Sequence, residues 1–159
     1  MIECLQYLDF PVIWHHVGDG VLRNELTELT SKLNVTDKFI FEGLIDSTKI
    51  LDYYTDRNID LFVNVSESEG VPFSIMESFS VGIPVIATDV GGTSEIVDES
   101  VGGLLKEELT AQDLAAKITA FNNLTPQAKQ NKRANAYGRY ENMCNAKKLA
   151  TELAEYLVA

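Results

Sequence analysis

Two glutamates, Glu69 and Glu77, flank a turn in "SESEGVPFSIMESFSVGIPVIATDVGG", residues 66–92, with seven residues between them. A carboxylate only accepts hydrogen bonds, and it can take two from adjacent hydroxyls. Between the two acids, Gly70 permits close approach of backbone to a ligand, and Pro72 is pre-set for a turn or helix entry. A helix opening near Ser74 would leave N–H groups free to bind a phosphate. A second reading needs no ligand. Ser74 and Glu77 have the S-x-x-E spacing of a capping box, with Phe73 just before the cap, and Glu77 would then stabilise its own helix by about 0.5–2 kcal/mol. Glu69 would then be a solvated loop acid.

The elements around this stretch must position it. "PVIWHHVG" (11–18), "KFIFEG" (38–43), "DLFVNV" (60–65) and "PVIATD" (84–89) are short, β-rich and bounded by Gly, Pro or Asp. They read as parallel strands covered on both faces, and "VGGLL" (101–105) is a fifth candidate. Amphipathic segments alternate with them: 21–33, with Leu22, Leu26, Leu29 and Leu33 on one face, then 47–56 and 73–82. Thr110 and Asp113 form a capping-box pattern ahead of "AQDLAAKITAF". After Pro126 the chain reads as helical, ending in an amphipathic stretch over about 140–158 with Met143, Leu149, Leu153 and Leu157 on its apolar face. The alternation predicts a layered α/β domain with right-handed crossovers. Ligands of such sheets sit beyond the carboxyl ends of the strands. The turns there are "GDG" (18–20), "EGLID" (42–46), "SESEGVP" (66–72) and "DVGG" (89–92), and all four can share one rim.

Composition narrows the partners. The 159 residues carry a net charge of −11, with 24 acids against 13 bases, so no basic stripe would neutralise a nucleic-acid backbone. Backbone amides can still hold a phosphorylated small molecule. Two carboxylates around such a cradle suit a diphosphate with a diol on each side, which describes a nucleotide-sugar. No run reaches membrane-span length, and "MIECLQYLDF" lacks the pattern of a signal peptide. Cys4 and Cys144 read as thiols of a cytoplasmic protein. His15 and His16 lie in a strand pattern without a metal-ligand partner, Asp19 reads as a turn former, and Trp14, Tyr53 and Tyr54 as packing residues.

"SESEGVPFSIMESFSVGIPVIATDVGGTSEIV" resembles the nucleotide-sugar binding stretch of retaining glycosyltransferases of the GT-B fold. That large family includes sucrose synthases and the lipopolysaccharide and phosphatidylinositol glycosyltransferases. Glu69, Glu77, Gly82, "PVIATD", Gly91, Gly92 and Glu95 carry the resemblance, and upstream "HHVGDG" and "FEGLI" are similar to the family's strand ends. It implies a three-layer, Rossmann-like α/β domain with a mostly parallel sheet, the C-terminal half of a GT-B fold with its first strand missing. It also implies roles. Glu69 would contact the transferred sugar and stabilise the transition state, and Glu77 would bind the ribose hydroxyls. The backbone of Gly70, Val71, Pro72, Phe73 and Ser74 would meet the diphosphate or sugar. Leu44 and Ile45 would line the base pocket through main-chain atoms, and Gly18 would face the same ligand. Val71-Pro72 stands where many members have an aromatic residue and Gly, and "ESFS" replaces the commoner "EAMA".

The family's Arg and Lys after the first strand have no counterpart here, nor has its acceptor domain. The expectation is therefore that residues 1–159 are one C-terminal donor-binding domain, a fragment, with 126–159 a helical tail. Such a fragment would bind donor weakly and turn over nothing. No metal or other cofactor is expected. The partners implied are a nucleotide-sugar donor, a glycan or lipid-linked acceptor through the absent domain, the cytoplasmic face of a membrane, and a second copy of the chain. An epimerase or phosphorylase of related fold, or a non-catalytic nucleotide-binding module, are the rival readings. The sheet, without its first strand, is expected to close by pairing 11–17 with 60–65, or to be shielded in a dimer.

Overall fold

The computed structural model describes residues 1–158. Strands and helices alternate in the Rossmann-like α/β arrangement expected from the hydrophobic pattern. The strands are β1 (Trp14–Val17), β2 (Phe39–Gly43), β3 (Phe62–Asn64), β4 (Val85–Thr88) and β5 (Gly102–Leu105). Every strand pair is parallel: β1 with β2, β3 with β4, and β4 with β5. β4 is buried at all four positions, as its unbroken "VIAT" run requires. β1 and β3 are shorter than the β-rich runs that contain them, because each is paired along one edge only. Pro11 has no N–H to extend β1 in any case.

The sheet does not close. Its order is β2-β1 on one side and β3-β4-β5 on the other, with no ladder between β1 and β3. A cleft of about 710 Å³ runs between these strands. Tyr53 and Tyr54 line it from one helical layer, Ile118 and Phe121 from another. The expected closure by direct β1–β3 pairing is thus replaced by an open slot.

The helices are α1 (Arg23–Lys32), α2 (Ile50–Asp56), α3 (Phe73–Ser80), α4 (Thr93–Ile96), α5 (Ala111–Asn122), α6 (Pro126–Arg139) and α7 (Ala146–Val158). Thr110 and Asp113 form the expected capping box at α5. Thr125 caps α6, accepting from the Ala128 N–H at 3.2 Å, with Pro126 in the first turn. Residues 2–7 form a 3-10 turn against α5, with Cys4 and Leu5 fully buried. Burial pushes the Cys4 thiol up to about 11, and both cysteines are free. α6 lies against α3 and reaches loop carbonyls through its cations: Arg133 donates to Ile59 O at 3.0 Å, Arg139 to Ile96 O at 3.0 Å. The amphipathic stretch over 140–158 is broken by a π-turn, Tyr140–Cys144, before α7, where Leu153, Tyr156 and Leu157 remain exposed. Among the described residues no helix is long and apolar enough to cross a membrane.

Candidate functional site at the strand ends

The four turns at the carboxyl ends meet in two pairs. On one side Gly18 N–H donates to Gly43 O at 2.8 Å, joining the "GDG" and "EGLID" turns. Gly43 has φ +73°, a left-handed conformation that suits glycine, and turns the chain so that Leu44 projects outward, 82% exposed. Ile45 packs inward against the cluster of Ile50, Tyr54 and Ile83. Asp19 is a turn former as expected, accepting from Gly20 N–H at 2.8 Å and from Arg23 at 2.9 Å.

On the other side the 66–72 loop is seated on the 89–92 loop. Gly92 N–H donates to Gly70 O at 2.8 Å, and Thr88 Oγ1 donates to Ser66 O at 2.6 Å. The two glycines are what let these loops touch. A Cβ at Gly91, which has φ +54°, would lie 1.7 Å from Glu69 O, and one at Gly92 would lie 2.8 Å from Val71 Cγ2. The "GG" pair thus fixes the height of the loop that carries Glu69.

The Glu69 carboxylate is held from below. Its Oε1 accepts from Ser66 Oγ at 2.7 Å and from Asn64 Nδ2 at 3.3 Å. Asn64 Oδ1 in turn accepts from the Ser66 N–H at 3.0 Å. Neither Asn64 nor Ser66 figures among the residues expected to matter. The signal was an amide in an otherwise apolar strand, whose polar groups must find partners when partly buried.

α3 begins two residues earlier than the capping-box reading requires. Pro72 is the cap residue, with ψ 117°, no side chain caps the helix, and Phe73 is its first residue. Proline at that position leaves the first amides without a side-chain acceptor, and among the described residues the N–H groups of Phe73 and Ser74 have no partner. Glu77 is the fifth helical residue, in the second turn, and does not cap. Its carboxylate has no hydrogen-bond partner among the described residues, and burial raises its pKa. Its charge reaches Tyr54, whose hydroxyl is pushed up to about 12 mainly by burial and secondarily by Glu77. Phe73 is 75% exposed and Val71 also faces solvent, so the helix entry is apolar as well as rich in amides.

The far end of α3 is closed by Gly82, φ +70°. Gly82 N–H donates to Phe79 O and Ile83 N–H to Ser78 O, both at 2.9 Å, before the chain enters β4. Ser78 is fully buried and bonds back to Ile75 O, so "ESFS" keeps the small residue that packing against the sheet needs.

The histidines divide. His15 Nδ1 lies 2.7 Å from Glu42 Oε1 and 3.1 Å from the Tyr53 hydroxyl. The bond from His15 holds the Glu42 carboxyl below its ordinary range, and burial pushes Tyr53 up to about 12. His16 stacks on Phe39 at 5.9 Å. Tyr53 and Trp14 both line the cleft between the sheets, which reaches Ser66 but not Glu69 or Glu77. Among the described residues no group of three His, Cys, Asp or Glu side chains is placed to hold a metal ion.

Comparison with known proteins agrees with this architecture. The profile of the family "Glycosyl transferases group 1" matches residues 5–140. The Vi polysaccharide biosynthesis protein VipC/TviE of Salmonella typhi is 31% identical over 117 residues, 68% of this chain and 20% of that protein. The lipopolysaccharide core biosynthesis mannosyltransferase LpsB of Rhizobium meliloti is 37% identical over 100 residues, 61% of this chain and 26% of that protein. Among solved structures, HepE from Anabaena in complex with UDP superposes with a TM-score of 0.80 at 23% identity, covering 99% of this chain and 43% of HepE. The chain thus spans about a quarter of these curated relatives and less than half of HepE. Its fold is that of the C-terminal part of a GT-B structure, and the chain belongs to the group 1 glycosyl transferases.

Proposed function

We propose that this chain is the donor-binding domain of a retaining glycosyltransferase, taking a nucleotide-diphosphate sugar as donor and a glycan or lipid-linked acceptor bound elsewhere in a longer protein. In the reaction the bond from the anomeric carbon to the diphosphate oxygen breaks. A bond to an acceptor hydroxyl oxygen forms on the same face, and the hydroxyl proton passes to the departing diphosphate oxygen. Glu69 contacts the sugar where positive charge develops, Glu77 accepts from the ribose hydroxyls, and the amides of Phe73 and Ser74 meet the diphosphate. Gly70, Val71 and Pro72 shape that entry, while Leu44, Ile45 and Gly18 border the nucleoside. Positioning and electrostatic stabilisation do most of the work in such a transfer. Residues 1–159 act as one domain in this reading and by themselves bind donor without turnover. The longer protein works in envelope polysaccharide synthesis at the cytoplasmic face of the membrane.

One observation supports this above the rest: Glu69 is clamped by Ser66 and Asn64 immediately before a helix whose first amides are unpartnered. A carboxylate that only served solubility would not need that support. HepE in complex with UDP-glucose is among the structurally similar proteins, which makes UDP-glucose the first donor to test. Calorimetric titration of this chain with UDP-glucose, GDP-mannose and free UDP should give saturable binding for at least one, weakened by Glu77→Ala. Absence of binding by every nucleotide-sugar, or equal binding by Glu77→Ala, would remove the reading.

A further inference from the structure

Glu42 is the extra residue of a bulge. Along β1 and β2, Trp14 pairs with Phe39, His15 with Ile40 and His16 with Phe41, but Val17 pairs with Gly43, so the register steps over Glu42. Bulges are uncommon in parallel pairs, and where they occur they re-aim the chain that follows. Here that chain is the 43–45 turn. Gly43 O accepts from Gly18 N–H at 2.8 Å, Leu44 points outward, and Ile45 packs into the cluster of Ile50, Tyr54 and Ile83. If Glu42 paired with Val17 instead, the strand would slip by one residue, and Leu44 and Ile45 would exchange faces. The bulged residue is fastened by its side chain. Glu42 Oε1 lies 2.7 Å from His15 Nδ1 on the neighbouring strand, and the His15 and Glu42 side chains are only 17% and 15% exposed. An ionised carboxylate can only accept, so His15 carries its hydrogen on Nδ1. The Tyr53 hydroxyl of α2 lies 3.1 Å from the same nitrogen and donates to Glu42 as well. Arg57, whose guanidinium lies 5.8 Å from the Tyr53 ring, adds a positive charge on that side.

A half-buried pair of this kind is a poor way to gain stability. Apolar side chains of similar volume serve as well or better in a layer already lined by Val17, Ile45, Ile50 and Tyr54, and the best-attested use of such a pair is to fix a register. Given the reading above, in which Leu44, Ile45 and Gly18 border the nucleoside, we propose that His15 and Glu42 are positioning residues for the nucleoside side of the donor site. Their bond locks the bulge and so sets the height and facing of the main chain at residues 43–45. Peptide groups of a turn cannot adjust by changing rotamer, so a ligand that bonds to them depends on where the backbone is held. Both residues act through the turn and not on the reacting atoms.

The test compares the unaltered chain with a variant carrying His15→Leu, Glu42→Leu and Tyr53→Phe together, which removes the three polar partners at nearly constant volume. UDP and GDP are the probes, titrated by calorimetry. The variant should melt within about 4 °C of the unaltered chain, because apolar replacement of the whole group leaves no buried charge unpaired. It should bind the nucleotide about tenfold more weakly or worse, a loss on the scale of one well-made hydrogen bond. Equal nucleotide affinity in the two chains would overturn the proposal and leave the donor-site reading in place. Failure of the unaltered chain to bind either nucleotide would overturn both. A second measurement needs no variant. In the 15N-labelled unaltered chain, the Nδ1–H of His15 should be visible by NMR and slow to exchange. Its signal should shift on saturation with the nucleotide, together with the amides of Leu44 and Ile45. A His15 ring that stays unmoved while those amides shift would contradict the positioning role, even where the variant fails to fold.

Discussion

Ser66 Oγ donates to Glu69 Oε1 at 2.7 Å, while the Ser66 carbonyl accepts from Thr88 Oγ1 at 2.6 Å. One residue therefore orients the carboxylate through its side chain and anchors the loop to β4 through its backbone. The two tasks are separable by mutation. In the longer enzyme, Ser66→Ala should keep the anchor and lose the orienting bond, lowering kcat by about tenfold, the scale of one hydrogen bond to a charged group. In the proposed role the charge of Glu69 matters most in the transition state, so Glu69→Gln should lower kcat by more than about tenfold, with less effect on the KM for donor. Steady-state kinetics with product stereochemistry by NMR checks both. Near-normal turnover of Glu69→Gln, or an inverted product, would contradict the assignment.

Gly91 and Gly70 lie in loops that touch, yet their tolerance to a methyl group should differ. A Cβ on Gly91 would fall 1.7 Å from Glu69 O at a left-handed φ of +54°, whereas one on Gly70 meets nothing within 4 Å. Gly91→Ala should destabilise the chain by about 2 kcal/mol or more. Gly70→Ala should stay within about 0.5 kcal/mol on folding. Urea denaturation of the two variants decides it, and equal midpoints would show that the 89–92 loop can retreat freely from the 66–72 loop.

The fold was legible in the sequence where period and punctuation agreed. "PVIATD" after Gly82 is apolar throughout and is the fully buried β4, and Thr110 with Asp113 forms the capping box it spells. The helix start at Phe73 was not legible. Ser74 and Glu77 have capping-box spacing, but Pro72 fixes the entry conformation two residues earlier and moves Glu77 into the second turn, out of reach of the cap. Nor was the open slot between β1 and β3. Strand runs report burial but not pairing, and which strands pair depends on contacts between segments lying far apart in sequence. Glu69 and Glu77 stand out in the sequence by type and spacing, whereas the support of Glu69 by Asn64 and Ser66 depends on a loop geometry that spacing does not encode.

The proposed ribose contact of Glu77 is set against stability. Burial raises its pKa, so the folded chain holds the proton more tightly than the unfolded chain. Its contribution to stability is therefore most favourable below the ordinary carboxylate pKa of about 4.3. That contribution is lost as pH rises through the raised folded value, leaving an unpartnered charge at neutral pH. Glu77→Gln should raise the urea midpoint near neutral pH, and the gain should vanish as the wild-type carboxyl becomes protonated. The same variant should bind a nucleotide-sugar more weakly, since a charged acceptor is lost. A variant less stable than wild type at neutral pH would show that the carboxylate is satisfied in the folded chain.

Arg139 fastens the end of α6 to the turn that precedes β5, and the clamp should be visible as a pH effect of the opposite sign. Its guanidinium reaches Asp98 Oδ2 at 2.7 Å, Ile96 O at 3.0 Å and Ser100 Oγ at 3.3 Å. Desolvation acts to raise the Asp98 pKa, but bonds from Ser100 and Arg139 outweigh it and hold the carboxyl at about 2. A depressed acid stabilises the fold above its unfolded pKa of about 3.9, and that contribution is lost as pH falls through the folded value. Asp98 is half exposed, so solvent screening limits the contribution to about 1 kcal/mol or less. Asp98→Asn should thus lower the melting temperature slightly at neutral pH, and the difference from wild type should fade toward pH 2. Arg139→Lys should not restore the clamp, because an ammonium lacks the planar fork that spans Ile96 O and Asp98 together. Thermal melts of the three proteins across this range check the argument. A difference between Asp98→Asn and wild type that persists unchanged at the lowest pH would show that Arg139 does not depend on the charge of Asp98.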